Sequence, residues 1–209
     1  VFGRESGGTQ LSEAVVFEDI TNIFYQAGVS YMYRNGYVDP ETEDTFGGKH
    51  VSKLGEFLDV MYRIAERPET DNQALPQGYE DDTFNASLYP YYDAVCWAYQ
   101  QGLIQEGDRH RDYDDSVDYR TAALLIYRYA ASVGVDTTVD ETVLAEAVEE
   151  YPRLSEECLR AIIWCRQENI TARTGDLEKL LENYTTRISR YQMTSYLFYL
   201  CTYELGFDG

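Results

Sequence analysis

The chain has 209 residues, 44% of them hydrophobic, which suits a folded core and is too apolar for a disordered chain. Its 37 acids against 17 Lys plus Arg leave a net charge of −20, a field that repels phosphate backbones and argues against nucleic acid as a partner. The longest apolar runs, such as 122–127 and 196–201, are far too short to span a bilayer.

In chain order, residues 1–15 read as an N-terminal extension. Its start, VFGRESGGTQ, lacks the basic residues and apolar run of a secretory signal, as expected of a mature or trimmed chain. The first unit, 16–67, contains AGVSYMYRNGYV (27–38), whose apolar residues recur at helical spacing up to Gly36. A second apolar helix follows in HVSKLGEFLDVMYRIA (50–65), with Ser52 as its expected cap. The polar stretch 66–78, with two prolines, reads as a loop.

The pattern then returns. Unit 79–133 carries DAVCWAYQQGLI (93–104) and SVDYRTAALLIYRYA (116–130), with Gly102 as stop and Asp118 as cap. The connector 133–153 contains a helical stretch near 140–150 that ends before Pro152. Unit 148–205 carries RAIIWCRQENIT (160–171) and RISRYQMTSYLFYLC (187–201), with Asn169 and Ser189 in the same roles. The stop residues lie 66 and 67 residues apart, and Gly, Gly and Asn are the residues that tolerate the left-handed conformation just past a helix end. Phe46, Tyr113 and Tyr184 stand five or six residues before the caps, and the first unit carries one extra residue between cap and Tyr62. Each two-helix unit is too small to bury its own face, so the three are expected to pack as one compact all-α bundle.

Trp97, Trp164 and Tyr31 share one column and read as core, whereas Tyr89, Tyr91, Tyr92, Tyr113 and Tyr184 lie in loops or at helix starts and are better placed for contact. Chemistry-bearing motifs are scarce. No CxxC pair occurs, and His50 and His110 are sixty residues apart, a poor spacing for zinc. Segment 108–118 is acidic but lacks the order of an EF-hand loop. No G-x-S-x-G, H-E-x-x-H or phosphate loop is present, so a non-catalytic protein without cofactor or metal is expected. Buried free thiols are favoured for Cys96, Cys158, Cys165 and Cys201, with a Cys158–Cys201 bridge left open.

The combined pattern resembles the S-layer homology (SLH) domains of bacterial surface proteins, in three tandem copies over about residues 16–205. Phe17-Glu18-Asp19-Ile20 matches the F-x-D motif, DAVCWAYQQGLI the first helix, and Ile188-Ser189-Arg190-Tyr191-Gln192 the I-T-R-A-E motif. The resemblance implies three helix-loop-helix repeats in a pseudo-threefold bundle that binds, non-covalently, a cell-wall polysaccharide, often a pyruvylated one, on the bacterial cell surface. Carried over by position, the implied ligand-binding residues are Asp19, Lys53, Asp81, Gly107, Arg120 and Arg190, where arginine can pair with a carboxylate and aspartate can accept from sugar hydroxyls. Gly175 is the third unit's loop-glycine candidate. The alternative is the same scaffold turned to a protein partner, such as a host protein, which the −20 charge and the loop tyrosines favour.

Overall fold

The structure, a computed structural model, describes residues 17–70, 91–108, 112–171 and 177–206. Asp81, Tyr89, His110, Gly175 and the extension 1–15 lie outside these residues. The described chain is all-helical: α1 (Ile23–Arg34), α2 (Leu54–Ile64), α3 (Tyr92–Gln100), α4 (Tyr119–Ser132), α5 (Glu141–Glu150), α6 (Glu156–Gln167), α7 (Leu177–Glu182) and α8 (Arg190–Tyr199). Helix α8 runs on into a π-helical turn, Leu200–Glu204, where the Thr202 hydroxyl donates to the Phe198 carbonyl at 2.9 Å. No strand forms among the described residues, which contain three isolated bridges.

The three expected stops are present. Gly36, Gly102 and Asn169 follow α1, α3 and α6 with φ of +71°, +69° and +56°. After each, the chain bonds back to the last turn, with Tyr37, Leu103 and Ile170 N–H donating to Met32, Ala98 and Cys165 carbonyls. These are the paired bonds that satisfy orphan carbonyls at a helix C-terminus. Asp118 and Ser189 also cap as expected, accepting from Thr121 and Gln192 N–H, and Ser189 completes a capping box with Gln192.

Ser52 does not cap α2. The residue at that position is Lys53, which has no side-chain cap bond, and Ser52 is fully buried with its hydroxyl on Met193 Sδ. The spacing follows: Lys53 to Tyr62, Asp118 to Tyr127 and Ser189 to Phe198 are all nine residues, so the extra residue lies in the preceding loop. A cap must sit in extended backbone beside the first helical residue, and Lys53 (φ −101°, ψ 150°) is the residue that does so.

Ser52 instead joins a closed ring of backbone hydrogen bonds. Its N–H donates to Ile188, Ile188 N–H donates to Val117, and Val117 N–H donates back to Ser52, at 2.9, 3.0 and 3.0 Å. Outside this ring the first N–H groups of each second helix are satisfied by another segment's loop. Leu54 and Gly55 donate to Asp115 and Tyr113, Tyr119 and Arg120 to Thr186 and Tyr184, and Arg190 and Tyr191 to His50 and Gly48. Gly48 thus occupies the place of Tyr113 and Tyr184, and a side chain there would overlap the Tyr191 ring.

Helix packing joins segments distant in sequence: α2 lies on α3, α4 on α6 and α8 on α1. One apolar cluster runs through them all. Tyr31, Trp97 and Trp164 are buried in it, at 6, 3 and 0% exposure, so this column is core. Helix α5 fills the stretch read as helical in 133–153, packing on α6 through Leu144 and Ala147. The loop between Asn169 and Ser189 contains the short helix α7. All four cysteines are free thiols. Cys96, Cys165 and Cys201 are buried, and burial pushes the Cys201 thiol up to about 12.

Candidate functional site

The residues expected to bind are divided between bracing the fold and lining an open groove. Asp19 sits in a turn, Phe17–Ile20, closed by the Ile20 N–H on the Phe17 carbonyl at 3.1 Å. One carboxylate oxygen takes Phe46 N–H at 2.8 Å, and the other takes Gly47 and Gly48 N–H at 2.9 and 3.3 Å. The Tyr191 hydroxyl donates to it as well. Burial works against the charge, but the Phe46, Gly48 and Gly47 donors and Tyr191 outweigh it and hold the carboxyl below its ordinary 3.8.

Asp19 therefore ties the loop before α2 to the turn before α1. Asp19→Ala leaves three N–H groups without their acceptor and is expected to cost about 1–3 kcal/mol in urea unfolding. Because its pKa is depressed, this stabilisation is fully present above the unfolded-state value of 3.8 and is lost as pH falls through the lower folded value. The gap in unfolding midpoint between wild type and Asp19→Asn should accordingly be wide at pH 6 and narrow steadily below pH 4.

Arg190 is also turned inward. It is 8% exposed, with Nε on Glu56, one terminal nitrogen on the Phe46 carbonyl and the other on the Asp39 carbonyl. Its guanidinium lies 4.5 Å from the centre of the Phe46 ring. Lys53 Nζ is half-exposed and holds Asp114, at 2.8 Å from its carbonyl and 3.2 Å from its carboxylate. None of these three lines the groove described next.

Arg120 and Gly107 do line it. Between α4 and the start of α6 lies a cavity of about 200 Å³. Leu54, Ile104, Leu124 and Leu154 give it an aliphatic wall. Arg120 enters from the first turn of α4, bonded to Asp118 at 3.1 Å with its guanidinium 5.4 Å from the centre of the Tyr184 ring. Gly107 stands at the open side, where an added Cβ meets nothing within 4 Å.

Two further arginines complete it. Arg128 is buried and saturated, bonded to Asp108, Glu157 and the Leu103 carbonyl at 2.6–3.1 Å. Arg153 is exposed and makes no hydrogen bond or ion pair among the described residues. It occupies the third place of a turn, Tyr151–Leu154, closed by the Leu154 N–H on the Tyr151 carbonyl at 3.0 Å. That is the turn in which Asp19 is third.

Neither Arg128 nor Arg153 was among the expected site residues. A signal for Arg128 exists: it follows the column residue Tyr127, as Arg63 follows Tyr62, and Arg63 likewise pairs with a loop aspartate, Asp39, at 2.8 Å. Arg153 was hidden because it breaks the expected motif with the opposite charge. Among the described residues no group of three metal-ligating side chains forms, and no helix is long and apolar enough to cross a membrane. Comparison with protein-family models and with curated protein sequences returns no match.

Proposed function

We propose that the chain is a non-catalytic binding module of the bacterial cell surface, built as three diverged SLH-like repeats about a pseudo-threefold axis. The three left-handed stops and the closed Ser52–Val117–Ile188 ring support the repeat arrangement. The observation that carries the binding reading is the α4/α6 groove, lined by Arg120, which is bonded to Asp118, and by the exposed Arg153, which has no partner among the described residues, in a chain of net charge −20. Two cations at an aliphatic wall suit an anionic sugar unit of a wall polysaccharide, with carboxylate on arginine and apolar substituent on leucine. The protein holds this polymer non-covalently.

Retention on purified wall glycan tests the reading. Gly107→Trp is expected to abolish retention while leaving the unfolding midpoint unchanged, since position 107 is open and its φ is not positive. Absence of retention by the wild type, or equal retention by Gly107→Trp, sinks it.

A second reading, a protein partner, is favoured by a different face. Tyr91 at the start of α3 is 38% exposed, held at φ +67° against Gly55, with Glu56 and Asp59 close enough to raise its pKa after burial. Those carboxylates are paired with Arg190 and Arg63, and an exposed tyrosine beside such ion pairs suits a polar protein contact. Tyr91→Ala separates the two readings, because it leaves glycan retention intact.

A further inference from the structure

Each second helix packs on the first helix of another unit, which gives three seams, α2/α3, α4/α6 and α8/α1. The same two columns of the repeat meet across each. Eleven residues before the stops Gly36, Gly102 and Asn169 stand Tyr25, Tyr91 and Cys158. Two residues after the cap positions Lys53, Asp118 and Ser189 stand Gly55, Arg120 and Tyr191. Tyr25 stacks flat on Tyr191, with ring centres 5.0 Å apart and planes 6° apart. Tyr91 lies on Gly55 so closely that a Cβ there would meet its ring at 2.4 Å. It is held in that place at φ +67°, a left-handed conformation that a bulky side chain rarely adopts.

The third seam breaks the pattern. Its column residue is Cys158, and the facing Arg120 turns to Asp118 and the Tyr184 ring. Both line the cavity of about 200 Å³. A thiol is far shorter than a phenol ring, so the space that tyrosine takes over Gly55 and Tyr191 stays open here. Packing alone would favour a larger side chain at 158, since Leu124 and Leu154 beside it offer apolar surface to cover. That burial is forgone at the seam that carries Arg120 and Arg153.

We propose that Tyr25 and Tyr91 take a ligand's place in the α8/α1 and α2/α3 seams, so that the chain binds one ligand, in the α4/α6 groove, and Cys158 is the residue whose small size admits it. The stoichiometry follows from the side chains at one column, and the proposal rests on the wall-glycan reading only for what the ligand is. A chain with one site holds a polymer at one point. It therefore gains none of the roughly 10²–10⁴ in avidity that linked sites provide, and its attachment as a single chain is readily reversed.

Native mass spectrometry of the intact chain with a single repeat unit cut from wall glycan counts the sites. One unit per chain is expected for wild type and for Cys158→Ser, and none for Cys158→Tyr at an unchanged unfolding midpoint. Two or three units on wild type, or a unit retained by folded Cys158→Tyr, overturns the proposal. Crystals soaked in isopropanol locate the open groove without any glycan. Isopropanol is expected beside Cys158 in wild type, over Gly55 only after Tyr91→Ala, and over Tyr191 only after Tyr25→Ala. Its presence over Gly55 or Tyr191 in wild type, its absence beside Cys158, or its absence over Gly55 in Tyr91→Ala overturns the proposal. Isopropanol in the α4/α6 groove alone, with no glycan unit bound by wild type, supports the single open groove and sinks the wall-glycan reading instead.

Discussion

Arg128→Met is expected to lower the unfolding free energy by about 3 kcal/mol, seen as a reduced urea midpoint and a Tm lower by about 6–12 °C. The side chain is 7% exposed and bridges three elements: the loop after α3 through Asp108 and the Leu103 carbonyl, α4 where it resides, and the first turn of α6 through Glu157. Burial alone would favour the neutral guanidine, but the hydrogen bonds that it donates to Glu157 and Asp108 more than offset this and hold the arginine firmly charged. Removing the cation leaves Asp108, whose carboxylate is 19% exposed, facing Glu157 with no counter-charge. The double variant Arg128→Met with Asp108→Asn should therefore recover part of the loss, as replacing both partners of a buried pair costs less than removing one. A loss below about 0.5 kcal/mol would show that the pair is solvated in solution and that the groove floor is not held in this way.

Trp164→Ala is expected to cost about 3–5 kcal/mol by the cavity it leaves. Trp164 is fully buried, packs edge-to-face on Tyr127 at 5.9 Å between ring centres, and donates its indole N–H to the Asp136 carbonyl at 3.1 Å. That last bond ties α6 to the connector before α5, so Trp164→Phe, which keeps most of the volume, should still lose about 1 kcal/mol by orphaning the carbonyl. Both losses are to be read by urea unfolding monitored by far-UV circular dichroism. If Trp164→Ala instead unfolded like wild type and lost only glycan retention, the tryptophan would be a sugar-stacking residue and its assignment to the core would be wrong.

Most of the helical architecture was legible along the chain. Gly36, Gly102 and Asn169 declare helix ends because a left-handed residue is a local requirement, satisfied by residue type within one turn of backbone. Asp118 and Ser189 declare helix starts for the same reason, and the buried column of Tyr31, Trp97 and Trp164 follows from spacing on one helix face. Ser52 misled because a serine beside an apolar helix carries the chemistry of a cap, while the bond that places it, donated by Val117 N–H to its carbonyl, reaches 65 residues along the chain.

The candidate site was far less legible, and the reason is one of distance. Asp19 and Arg190 carry groups suited to a ligand, and nothing near them in sequence reveals that Phe46, Gly47, Gly48 and Glu56 consume those groups first. Arg153 matched no motif, yet packing leaves it without a partner among the described residues at a groove shared with Arg120 and Leu54, residues 33 and 99 positions away. Helix starts and stops depend on backbone preferences acting over three or four residues and so can be read in order. Whether a charged side chain is spent or free depends on which distant segments meet it, and that was set by how α2, α4 and α8 pack on α3, α6 and α1.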